Sequence, residues 1–153
     1  MAESQSEYIG VKDVSFTPTG GDAIVFQLVG DGDGVEDSVN VTQIRHKTPS
    51  GKYQRFVHTT LVERTVMVNT KALNIIADNA ANLAVDTEGT LTYTLIGAGL
   101  ESDLDKVVSS AAKIIEPTPY TGTDGDSPSQ GRIGFLLTSS DGTTDPMSVT
   151  DAA

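Results

Sequence analysis

Residues 65–80, TVMVNTKALNIIADNA, followed after a short linker by residues 89–98, GTLTYTLIGA, decide the fold class of this 153-residue chain. The first stretch opens as a β-prone run of Val, Thr and Met. From Thr70 the pattern changes: Thr70 is a residue type that caps helices, and Leu73, Ile76, Ala77 and Ala80 fall at i, i+3, i+4 and i+7 on one helical face. The spacing predicts one α-helix over about residues 70–83. The second stretch alternates strictly, with Leu91, Tyr93 and Leu95 on one side and threonines on the other, as a half-buried strand does.

Working outward, the helix has strands on both sides and no second helix to make a repeating β-α unit. Residues 9–16 (IGVKDVSF) read as a strand that the turn residues TPTGGD reverse into a second strand over residues 23–29 (AIVFQLV). Residues 30–37 (GDGDGVED) are too rich in Gly and Asp to be regular, and residues 39–45 (VNVTQIR) then alternate as a half-buried strand. A turn at residues 48–51 (TPSG) leads into a long β-prone stretch, residues 53–68, able to project past a core. After the helix, residues 107–116 (VVSSAAKIIE) fit either a helix or a strand, but Pro117 and Pro119 stop a helix and the small-residue alternation suits an edge strand. Residues 132–138 form the last clear strand, and residues 147–150 add a short one. The expected fold is therefore mainly β, an antiparallel sandwich or barrel with one flanking helix and a projecting hairpin, in a single domain. Residues 1–8 are expected as an N-terminal arm and 146–153 as a tail.

Charge divides the chain. Residues 1–44 carry eight acids against Lys12, and residues 72–153 carry twelve acids against three bases. Residues 45–71 hold six of the ten basic residues against Glu63 alone, within a total of −11. A basic strip on one copy and acidic surface on the next would steer head-to-tail association of identical subunits. The overall negative charge disfavours a direct grip on nucleic acid, whose phosphates need positive surfaces.

Catalytic equipment is sparse, and no enzyme activity is expected. There is no cysteine, which excludes disulfides, thiol nucleophiles and Cys-ligated metals. His46 and His58 stand in no zincin, triad or nucleophile-elbow pattern, and no phosphate-binding glycine loop is present. Asp31, Asp33 and Asp37 alternate with glycine like a calcium loop, but Val35 and Thr42 occupy positions where an EF-hand needs an oxygen ligand and a bidentate Glu. They are the only candidate metal ligands; no cofactor is expected. The first eight residues lack the basic and apolar regions of a signal peptide, and no apolar run approaches the roughly 20 residues of a membrane helix. The expectation is a protein that stays in water, with no membrane partner.

Residues 11–24 (VKDVSFTPTGGDAI), the strand-helix-strand middle and residues 135–150 (FLLTSSDGTTDPMSVT) together resemble the tail tube proteins of long-tailed bacteriophages, whose fold type VI secretion tube proteins share. The resemblance implies hexameric rings that stack into a conduit through which phage DNA passes without specific binding. It implies contacts with other tail proteins, and a place in the virion tail after assembly in the host cytoplasm. A hairpin reaching between rings would be residues 45–55 (RHKTPSGKYQR), with Arg45, His46, Lys47, Lys52, Tyr53 and Arg55 at the subunit interface. Two alternatives stand beside it: a capsid decoration protein, and a cation-dependent carbohydrate-binding module using the Asp31 to Asp37 loop.

Overall fold

The computed structural model describes residues 8–28, 32–47, 53–97, 105–118, 125, 130–139, 141 and 143–151. Eight strands lie in chain order: β1 (Tyr8–Pro18), β2 (Ile24–Phe26), β3 (Gly34–Lys47), β4 (Tyr53–Thr70), β5 (Glu88–Gly97), β6 (Lys106–Glu116), β7 (Gly131–Leu137) and β8 (Ser148–Asp151). One short helix, α1 (Leu73–Asp78), and a 3-10 turn (Ala80–Leu83) separate β4 from β5. The sheet order is β2-β1-β5-β6-β7-β4-β3, with β8 also on β6, and every pairing is antiparallel. The mainly-β architecture with one flanking helix is the one the sequence pattern calls for.

The sheet cannot be flat. Strands β1 and β7 are three steps apart in the order, which in a flat sheet is about 14 Å. Yet the rings of Phe16 on β1 and Phe135 on β7 lie 5.0 Å apart, and Phe26 on β2 meets Phe135 edge-on at 6.4 Å. The sheet must therefore roll until β1 and β2 face β7 and β4 across one core. The Thr70 hydroxyl at the end of β4 donates to the Gln27 carbonyl just after β2 (2.5 Å), tying the two margins together. Val14, Phe16, Val66, Val68, Ile114 and Phe135 fill the interior with no exposed surface. One sequence detail serves this curl. Val11 and Val14 are spaced by three, which breaks strand alternation. A register shift between Lys12 and Ser15, with Asp13 in the left-handed region (φ 53°), is a bulge that lets both valines pack on the core.

Four expectations are corrected. The helix is six residues long instead of spanning 70–83. Thr70 belongs to β4 and its Oγ1 accepts the Ala72 N–H (3.0 Å), one residue short of the helix. The helix ends because the Asn79 side chain donates to the Ile75 carbonyl (2.8 Å) and the Asn79 N–H bonds back to Ile76, tightening the last turn. Ile76 and Leu83 are buried, whereas Ala77 and Ala80 face outward. Second, β2 is confined to three residues at the sheet margin instead of residues 23–29. Third, regular structure begins at Gly34, inside the stretch expected to be irregular, because Gly34 to Asp37 pair with Asn69 to Val66. Fourth, β6 is interior and not an edge. It pairs with β5 along one side and with both β7 and β8 along the other. Its small Ser110 and Ala112, both buried, stand opposite Leu91 and Gly89, and a Cβ on Gly89 itself would lie 2.2 Å from the Thr17 carbonyl oxygen of β1.

The helix covers the end of the roll where β4 stops and β7 starts. A Cβ on Gly131 would lie 2.6 Å from Leu73 Cδ2, so the absent side chain is what lets α1 settle onto the sheet.

Candidate assembly surface

Strand β7 accompanies β4 only from Arg64 to Thr70. Beyond Arg64, β4 continues to Tyr53 with β3 as its sole ladder partner among the described residues, from Asn40↔Glu63 to Lys47↔Tyr53. This two-stranded ribbon extends roughly 35 Å past the paired sheet at strand rise. The side chains of β4 that face the core are Arg64, Val66, Val68 and Thr70, and their partners on β3 include Val39 and Asp37. Val62 and Val41 continue that same face out of the core. Val39 is 48% exposed and Val41 44%, so a surface that is core further back lies uncovered here.

A bulge alters the ribbon midway. Thr42 pairs with Leu61 but Gln43 pairs with Thr59, and the extra Thr60 donates its hydroxyl to the Thr42 carbonyl (3.2 Å). Leu61 and Ile44, 39% and 50% exposed, lie on the other face. The residues 39–45 expected to be half-buried therefore carry exposed apolar side chains on both faces over their described part. A two-stranded ribbon has no sheet or helix layer to bury them against.

The sequence candidates sort by place. The backbone of Arg45, His46, Lys47, Tyr53 and Arg55 runs in the distal ribbon, with Arg45 opposite Val57 and Lys47 opposite Tyr53. Lys52 and the turn at residues 48–51 lie outside the described residues. Asp31 does too. Asp33 has a fully enclosed carboxylate that accepts the Lys71 N–H (3.2 Å) and the Gln130 side-chain amide (3.3 Å), with Lys71 Nζ at 3.8 Å. Asp37 is bound to Arg64. The two acids thus each face a cation of this chain, and among the described residues no group of three His, Asp or Glu is placed to hold a metal.

Arg64 is the residue that sequence reading missed. It stands at the border between core and ribbon, pairs with Asp37 of β3 through Nη1, and grips Asp145 with Nε and Nη2 at 2.7 and 2.8 Å. Bidentate Arg–carboxylate geometry gives direction as well as charge. The guanidinium holds the Asp145 carboxyl below its ordinary range, aided by the Met147 N–H (3.0 Å). The nearby Tyr93 phenol is pushed up, first by burial and then by Asp37. With Met147 packed on the core, this node closes the end of the roll opposite the helix. Sequence carries no signal for it, because Asp37 and Asp145 are 27 and 81 positions away.

An open cleft of about 520 Å³ lies elsewhere, lined by Thr17 to Gly21, Glu88, Thr90, Ala111 and Thr138. Among the described residues Glu88 is its one titratable side chain. Among the described residues no helix is long and apolar enough to cross a membrane.

No protein-family model matches the chain, and no curated protein sequence matches it. Among solved structures it is similar to one described as "Structure of Hcp1 from Flavobacterium johnsoniae", with 10% sequence identity over 91% of this chain and 98% of that one, and a TM-score of 0.40.

Proposed function

We propose that this chain is a tail-tube-type structural subunit, which associates with copies of itself into hexameric rings stacked as a conduit for phage DNA in the virion tail. The observation that carries the reading is the ribbon of β3 and β4. It leaves the core with Val39, Val41, Ile44 and Leu61 uncovered, and its distal half lies in the one basic segment of an otherwise acidic chain. Apolar side chains exposed on a projecting element gain free energy when a partner removes them from water. Basic residues at the tip select an acidic partner, and the remainder of an identical chain is acidic. The resemblance of residues 11–24, 65–80, 89–98 and 135–150 to tail tube proteins supplies the ring and the tube. Acidic lining would let a polyanion slide without adhering.

The test is negative-stain electron microscopy of the purified protein at rising concentration, with the triple variant Lys47→Glu, Lys52→Glu, Arg55→Glu beside it. Sixfold rings or filaments are expected for the parent, with assembly weakened by salt. The variant should lose them while keeping its circular dichroism melt. Discrete trimers from the parent, or normal tubes from the variant, would defeat the reading.

A further inference from the structure

Strand β8 is not an independent strand but a resumption of β7. Both run antiparallel to β6 on the same side of it. Thr138, just past β7, donates its N–H to the Ala111 carbonyl (2.9 Å), and Ser148 is the partner of Ser109. Only the position opposite Ser110 separates them. One residue would bridge that gap, yet the chain spends residues 139–147 on it. The part of it before Asp145, residues 139–144, reaches up to about 20 Å when fully extended. Within it Asp141 accepts the N–H groups of Thr143 and Thr144 (3.0 and 2.9 Å), a local turn that shortens this reach for as long as it is kept.

What holds β8 in place is equally self-contained. All four of its residues are exposed, and among the described residues its ladder is to β6 alone. Among the described residues its segment is further held by Met147, partly buried against the core, and by two ion pairs, Lys106 with Asp151 and Arg64 with Asp145. Every one of these contacts is available, unchanged, on a second copy of the chain. Alongside, β4 from Glu63 outward has no ladder partner on its β7 side among the described residues, so the row that β8 occupies is open on its outer flank. Exchange of identical elements costs no contacts, only the entropy of association. Copies already gathered by the ribbon meet at high effective concentration, which reduces that cost.

We propose that residues 145–151 are an exchangeable element, docking in the assembled state on β6 and Arg64 of a second copy and not on their own. The inference rests on the self-association reading above. The chain has no cysteine, so a cross-link reports the pairing directly. Ser109→Cys and Ser148→Cys chains are prepared separately, mixed before assembly and oxidised. Exchange predicts a disulfide-linked species of two chains as the main oxidised product of the mixture, greatly reduced when each variant is oxidised alone. It is also lost when the Lys47, Lys52, Arg55 reversal is introduced into both. In the double variant, exchange predicts chains linked in series within assembled particles.

If particles form but the double variant shows only intrachain bonds, the exchange is overturned and the assembly reading stands. If particles form and no disulfide appears in either arrangement, β8 is not on β6 at all and the proposal fails. If neither particles nor interchain links form, both readings fail together.

Discussion

The strand β4 runs through both the core and the ribbon, with β3 beside it in each, and the two stretches differ in what lies opposite them. From Arg64 to Thr70, β4 has β7 on one side, β3 on the other and the aromatic cluster of Phe16, Phe26 and Phe135 across from it. From Tyr53 to Glu63 the same strand, with the same Val and Thr content, has β3 and nothing further among the described residues. Val66 and Val68 are fully buried, whereas Val41 on the continuing face is 44% exposed. The lesson is that alternation along a strand tells which side chains share a face and says nothing of whether that face has a partner.

The largest way to break the contrast is to remove the core's central ring. Phe135→Ala should cost about 3–5 kcal/mol in urea denaturation, since the cavity left between Phe16 and Phe26 lies in a closed roll that cannot collapse freely. A loss no larger than that of a ribbon substitution would show the roll to be loosely packed.

Acid should come next, again acting on the core side. Asp105, almost enclosed, accepts the Gly97 N–H (2.8 Å) and pairs with Lys12 Nζ (3.0 Å), and these contacts, Gly97 first, hold it below the ordinary 3.8. Asp145 is lowered chiefly by Arg64, and Asp141 well below its usual range by the Thr144 hydroxyl and nearby N–H groups. A carboxyl depressed in the folded state contributes stability above its unfolded value and loses it as pH falls through the folded value. The melting temperature should therefore hold steady from about pH 7 to pH 5 and fall below about pH 4, with Asp105→Asn showing a shallower acid loss. An identical acid profile in that variant would remove Asp105 from the account.

The smallest effect on stability should come from the ribbon, and there it sharpens the comparison. The double variant Val39→Ser, Val41→Ser should change unfolding free energy by less than about 0.5 kcal/mol, because both side chains are already half in water. Sedimentation should show its self-association weakened nonetheless. A stability loss of core size would mean that these valines are buried within the single chain.

Much of the fold was legible. Turn chemistry at TPTGGD, strict alternation in TLTYTLI and the apolar run in RIGFLL each correspond to strands where expected. What escaped was non-local or competitive. The interior position of β6 depends on strands β7 and β8 that arrive later in the chain. The helix was shortened by one Asn79 side chain that bonds its own backbone more readily than it continues a turn. The ribbon's basic residues were visible as a charge cluster, but its uncovered valines read as ordinary half-buried alternation. Arg64 belongs by sequence to the basic segment of residues 45–71, but its role is set by Asp37 and Asp145, far away in sequence.

The manner in which β4 passes from ribbon to core has a mechanical consequence. Along its seven register pairs with β7, from Arg64↔Leu137 to Thr70↔Gly131, hydrogen-bonded and non-hydrogen-bonded pairs alternate, and the bonds lie perpendicular to the strand. Tension applied to the ribbon tip along its own axis loads these bonds in shear together, whereas a sideways force would peel them in turn. A pull along the ribbon thus meets its anchorage in the strongest direction, and a pull across it in the weakest.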